Sequence, residues 1–187
     1  MERVLELKSV LLDNYTINEV ERFLSYQLTV QERNLILETL EAALINVPNK
    51  AFACTQISAA WAAMIQDHSR IPVAVVCGDL AYRDTKLFVC HSPIPILTTD
   101  EIFIQEWDGH CWLELGGMIA DASIFRTIYQ GRVSKTIKNQ IIEQFGEGKG
   151  ALIATPEQMS INNFTYSPKY TLNDIQINGI LRGLLQG

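Results

Sequence analysis

The order of elements predicts an α+β fold in which a cysteine-bearing central helix packs on an antiparallel β-sheet, with further helices at the N-terminus. Three observations carry this. The first third of the chain is helix-periodic, the middle alternates short β-branched runs with turn signals, and one Ala- and Ser-rich helix stands between them. The 187 residues, 48% hydrophobic and 19% charged, suffice for a single domain with a sizeable core.

Thr16-Ile17-Asn18-Glu19 and Thr29-Val30-Gln31-Glu32 are capping-box patterns, each opening a helix. After the second, Val30, Leu37, Leu40, Ala43, Leu44 and Val47 recur at helical spacing, and Pro48 ends the segment. Residues 49–53 connect to a helix over 54–68, whose core face is marked by Ile57, Trp61, Met64 and Ile65. Its alanines and serines permit close approach by a sheet. Val73-Ala74-Val75-Val76-Cys77 reads as a buried strand, continued with a bulge over 78–82. Residues 86–90 read as another strand, and 91–106 as a loop long enough for a lid or substrate rim. The runs 110–115 and 118–121 flank Gly116-Gly117, a hairpin signal.

Helical spacing returns through Ile124, Phe125, Ile128 and Tyr129 and again over 134–145. A glycine-rich break follows at 146–150, then an edge strand at 151–154. Thr171-Leu172-Asn173-Asp174 caps a last helix. One domain over 1–187 thus contains a helical N-terminal part (1–48), a core (49–125) and a helical C-terminal part (126–187).

Composition excludes several functions. A formal net charge of -6 and a pI of about 5.1 argue against general nucleic-acid binding and against docking on anionic membranes. No apolar run is long enough to span a bilayer, and the N-terminal residues lack the basic-then-apolar order of a signal peptide. A cytoplasmic protein is expected, with export by a route that needs no cleavable signal left open. Cys54, Cys77, Cys90 and Cys111 form no CxxC pair and no zinc-ligand spacing, so reduced thiols and no metal site are expected.

The chemistry lies in Cys54, His110 and Asp121, in that order. A thiol opening a helix sits at the positive end of the macrodipole, which favours thiolate. A histidine on a nearby strand can take and return the proton, and a carboxylate on the next strand can fix its tautomer. Asp108 and Glu114 are rivals for that last role. Each residue also has a plainer reading: a free Cys is commonly a small buried hydrophobe, and a strand His is commonly structural. His68, at a helix C-terminus, is explained by the dipole there.

These segments resemble the transglutaminase-like superfamily on the papain-like cysteine-enzyme fold. The resemblance rests on the Cys54 helix, the turn and strand Ser69-Arg70-Ile71-Pro72-Val73-Ala74-Val75-Val76-Cys77-Gly78, the strand His110-Cys111-Trp112-Leu113-Glu114, and Asp121-Ala122-Ser123. It covers residues 53–123. Phe52-Ala53 stands where that family often has Trp, and Ala122 where it often has Pro.

The resemblance implies a cysteine-dependent amide or peptide-bond hydrolase or acyltransferase, working through a thioester at Cys54 without a cofactor. His110 would be the general base and then acid, and Asp121 its orienting carboxylate. Such a protein would act on a protein, a peptide or a small amide. The backbone N–H of Cys54 is the natural oxyanion donor, with Asn49 or Gln56 as a candidate side-chain donor. Trp112, Trp107 and Glu114 are candidates for the substrate cleft, whereas Trp61, Phe88 and Phe103 read as core. The alternative is a catalytically inactive binding module on the same fold.

Overall fold

The computed structural model describes residues 2–95, 98–103, 107–131, 133–148 and 150–186. Three helices lead: α1 (Glu2–Leu11), α2 (Ile17–Ser25) and α3 (Val30–Asn46). Both expected capping boxes form, with the Thr16 and Thr29 hydroxyls accepting from the Glu19 and Glu32 amides. The buried face of α3 keeps Leu40 and Ala43 as expected, with Val47 at its C-cap, and departs from the expected one at Val30 and Leu37. Val30 and Leu37 are 70% and 51% exposed, while Ile36, Thr39, Leu40 and Ala43 are buried. The physical reason lies in α4 (Cys54–His68). The buried Trp61 indole N–H must find an acceptor, and it donates to the Ile36 carbonyl and Thr39 Oγ1 at 3.3 and 3.2 Å.

β1 (Val73–Tyr82) is the centre of an antiparallel sheet with β2 (Thr85–Phe88), β3 (His110–Leu115), β4 (Met118–Asp121), β5 (Leu152–Ala154) and β6 (Phe164–Thr171). One edge of β1 carries β6 along residues 76–82. The other carries β3 along 73–78 and then β2 along 80–82, beyond a bulge at Leu80/Ala81. Gly78 pairs with His110 and Leu80 with Phe88, so the end of β2 and the start of β3 meet on one edge. Gly116 and Gly117 turn β3 into β4 with φ of +53° and +75°, the left-handed backbone of a tight hairpin.

Side-chain alternation splits the sheet between two cores. Val73, Val75, Cys77, Cys111 and Leu113 face α3, α4 and α8 (Asp174–Gln186). Ala74, Val76, Leu80, Trp112 and Ile119 face a second layer built from α1, α2, α5 (Ile124–Gln130), α6 (Lys135–Phe145) and α7 (Pro156–Ile161).

The C-terminal part is not purely helical, as the sequence suggested. β6 pairs along the length of the central strand, and its Pro168 explains why it does not read as such. Proline removes a ladder donor and normally demotes a strand. Here it sits at the register shift beside Gly78, where a Cβ on that glycine would lie 2.0 Å from the Ser167 carbonyl oxygen. The last helix is capped by Asn173 and Gln176 rather than Thr171, which ends β6. In the 91–106 loop, residues 96–97 and 104–106 lie outside the described residues. On either side, Ile94 is held by the Tyr170 hydroxyl and Phe103 by the Gly179 carbonyl.

Candidate active site

Cys54 opens α4 in an unusual way. α2, α3 and α7 each carry a reciprocal capping box, but the residue before Cys54 is Ala53, with no side-chain cap. Leaving out a cap costs about 1 kcal/mol. It also leaves first-turn N–H groups without a side-chain acceptor. Phe52 sits just upstream at φ +63°, a left-handed conformation that is costly for an aromatic residue.

His110 is wholly buried at the start of β3. Its Nε2 bonds Asp121 Oδ2 at 2.5 Å, while its Nδ1 has no hydrogen-bond partner. The Phe88 ring stacks on the imidazole at 5.1 Å, a contact that follows from the adjoining ends of β2 and β3. Phe88, expected in the core, is therefore only partly buried and stands against the histidine.

Asp121 gathers five donors. Oδ2 accepts from His110 and from the Tyr166 hydroxyl at 2.9 Å. Oδ1 accepts from Ser123 N–H, Ser123 Oγ and Ile124 N–H at 2.9–3.0 Å. The carboxylate thus caps α5 and holds the imidazole at once. Ser123 lay in a readable pattern, since Asp-x-Ser before an apolar helix signals a cap. Tyr166 did not, because only the β6 pairing brings it here.

Cys54, Cys77 and Cys111, spread over residues 54–111, draw together around the start of β3. Cys77 and Cys111 are opposite one another in the β1–β3 register, with sulfurs 2.9 Å apart. One turn beyond Cys54, Ser58 Oγ bonds the Cys111 carbonyl at 3.2 Å, fixing the Cys helix to this strand. All four thiols are free. The adjoining Cys111 and the charge of His110 hold the Cys54 thiol well below the usual thiol range, against the opposing effect of burial. Burial would lower the His110 pKa, but the Asp121 charge and hydrogen bond, together with Cys54, push it up to about 10. Burial likewise opposes ionisation of Asp121, and the His110 charge, with the bonds from His110, Ser123 and Tyr166, holds its pKa below the ordinary value.

The remaining candidates separate. Trp112 and Glu114 are buried on the second core and bonded to each other at 2.8 Å, with Arg3 of α1 also on Glu114. Neither lines a cavity. Burial raises the Glu114 pKa, and Arg3 offsets part of that. Asn49 is exposed and accepts from Gln130 at 3.3 Å. Gln56 Oε1 is buried with no partner, but a residue two beyond Cys54 does not share its helix face. Trp107 and Asp108 do line a cavity of about 670 Å³, together with Phe52 and Phe88. Asp108 bonds His91 at 2.7 Å and makes no contact with His110.

No protein-family model, curated protein or solved structure matches the chain. The chemistry therefore rests on the residues themselves. Among the described residues no group of three His, Cys, Asp or Glu side chains is placed to hold a metal ion, and no helix is long and apolar enough to cross a membrane. Around His110, one ring nitrogen is bound to a carboxylate and the other is unpartnered, with the Cys54 thiol nearby.

Proposed function

We propose that the protein is a transglutaminase-like, cysteine-dependent amide hydrolase or acyltransferase with Cys54 as its nucleophile. The observation supporting this is the unequal treatment of the two imidazole nitrogens. Nε2 is committed to Asp121, Nδ1 has no partner, and the Cys54 thiol is lowered in part by the same ring.

The Cys54 thiolate adds to the amide carbonyl, and the backbone N–H of Cys54 faces the developing oxyanion. On collapse the C–N bond breaks, and protonated His110 gives its proton to the departing amine, leaving a thioester and a neutral imidazole. His110 then takes a proton from water or from an acceptor amine, which attacks the thioester and releases acid or new amide. The proton returned to His110 restores the starting charge state. Catalytic hydrogen bonds are often long before substrate binds, so the absence of a well-formed Cys54–His110 bond is compatible with these steps.

The second reading, an inactive binding module, is favoured by burial: Cys54 is 5% exposed and His110 0%. The pH dependence of iodoacetamide alkylation, followed by mass spectrometry at each cysteine, separates the two. For a working pair, Cys54 reacts well below about pH 8.5, faster than Cys77, Cys90 and Cys111, and His110→Ala abolishes that low-pH reactivity. Slow, equal labelling of all four, unchanged by His110→Ala, would favour the module.

A further inference from the structure

The cavity beside His110 has no part in the chemistry just described, yet it shares a wall with it. Phe88 lines the cavity and stacks on the imidazole at 5.1 Å. Phe52, two residues before the nucleophile, lines it too. We infer that this cavity binds a bulky apolar, preferably aromatic, side chain of the acyl donor, so that the substrate is an apolar peptide-like amide rather than a small polar one.

Four observations lead here, and the inference rests on the amide-cleaving reading above. The first is lining. Aromatic rings of Phe52, Phe88 and Trp107 face aliphatic Val133 and Ile137 across the cavity. An apolar hollow with few polar groups is the usual form of a specificity pocket, and about 670 Å³ lies within the usual range for a bound small molecule.

The second is strain. Phe52 is held at φ +63° with its side chain 47% exposed, where a glycine would cost nothing. Backbone strain that places an exposed aromatic ring beside a nucleophile adds nothing to the core, so its use is sought in binding.

The third is a rigid wall. The Trp107 indole donates to the Ser92 carbonyl at 2.8 Å and meets Tyr170 edge-on. Its ring lies over Gly109, where a Cβ would fall 2.0 Å from it. Asp108 is held by His91. A preformed wall costs no ordering on binding.

The fourth is charge. In a chain of net charge -6, the described residues of the lining include both a cation, Lys86, and an anion, Asp108. Phe88 stands between the cavity and the buried imidazole.

The test uses three alkylating probes on the full chain, with the rate read at Cys54: a benzoyl-phenylalanyl chloromethyl ketone, an acetyl-glycyl chloromethyl ketone, and iodoacetamide. The phenylalanyl ketone should exceed the glycyl one by about tenfold or more, as one well-fitted apolar group provides. Ile137→Asp should collapse that preference, read as the ratio of the two ketone rates. Phe52→Gly should do the same without lowering the melting temperature, since glycine suits the left-handed backbone. Equal rates for the two ketones, or a preference that survives both substitutions, would overturn this inference while leaving a His110-dependent iodoacetamide reaction intact. Loss of His110 dependence itself would remove the amide-cleaving reading and this one together.

Discussion

Asp121 shows how a single buried carboxylate can hold several elements at once. With no exposed surface it would be costly as an anion, and five donors make it affordable. The consequence is testable through the linkage of protonation to folding. His110 has its pKa raised from 6.5 to about 10, so its contribution is full below 6.5 and fades as pH rises toward 10. Cys54 has its pKa lowered from 9.0, so its contribution is full above 9 and fades as pH falls toward its folded value. Between about 6.5 and 9 the two slopes cancel, because folded and unfolded chains each hold one proton on this pair. Stability measured by urea unfolding should therefore be flat from this pair across that window. His110→Ala should remove the plateau and leave stability rising with pH, and an unchanged profile would count against the ion pair. At the same scale, the strain at Phe52 and the missing cap at Ala53 are local costs placed at the Cys54 helix start.

At the scale of elements, the β1–β3 register decides what lies next to Cys54. Pairing Cys77 with Cys111 sets their sulfurs 2.9 Å apart, and pairing Gly78 with His110 starts the histidine strand one residue further on. A slip of one residue would exchange the two faces and send His110 to the wrong core. The thiols give a direct readout of this register. In Cys54→Ala, which removes the more acidic neighbouring thiol, mild treatment with diamide, which takes up two electrons and two protons as the thiols couple, should link Cys77 to Cys111 before either joins Cys90. Peptide mapping under non-reducing conditions should recover that crosslink, and Cys111→Ser should abolish it. A first product joining Cys90 to another cysteine would contradict the register. Burial and the adjoining sulfurs of Cys54 and Cys77 keep Cys111 protonated, so Cys54 remains the faster nucleophile.

At the scale of the whole molecule, the first helix is tied to the strand of the histidine. The partly exposed Arg3 and the buried Glu114 form an ion pair across 111 positions of sequence, with the Trp112 indole on the same carboxylate. Removing one partner of such a pair typically costs about 3–5 kcal/mol, because the other charge is left stranded. Arg3→Met should therefore destabilise strongly at neutral pH. The burial that already raises the Glu114 pKa would then act unopposed, so the deficit should shrink as pH falls toward 5 and the carboxyl is protonated. Arg3→Met combined with Glu114→Gln should recover most of the loss, measured by thermal unfolding. A deficit independent of pH would show that packing of α1, rather than the charge, is what Arg3 supplies.

Much of this was legible in sequence because it is local. Capping boxes at Thr16 and Thr29, the limits of the Cys54 helix, the Gly-Gly hairpin and the strands at 110–115 and 118–121 depend on neighbours within a few residues, and all appear as read. Cys54, His110 and Asp121 were identifiable because each residue type stood in a local pattern suited to one chemical task. Other features depend on contacts between distant segments. The buried face of α3 was set by the acceptor that Trp61 needed, and β6 was hidden by a proline that sits harmlessly at a bulge. Tyr166 on Asp121, Phe88 on His110 and Cys77 on Cys111 all arise from pairings around β1. Residue type and spacing determined which groups could do chemistry; only strand register and packing across the sheet decided which of them meet, because burial and hydrogen-bond satisfaction are settled between elements rather than within them.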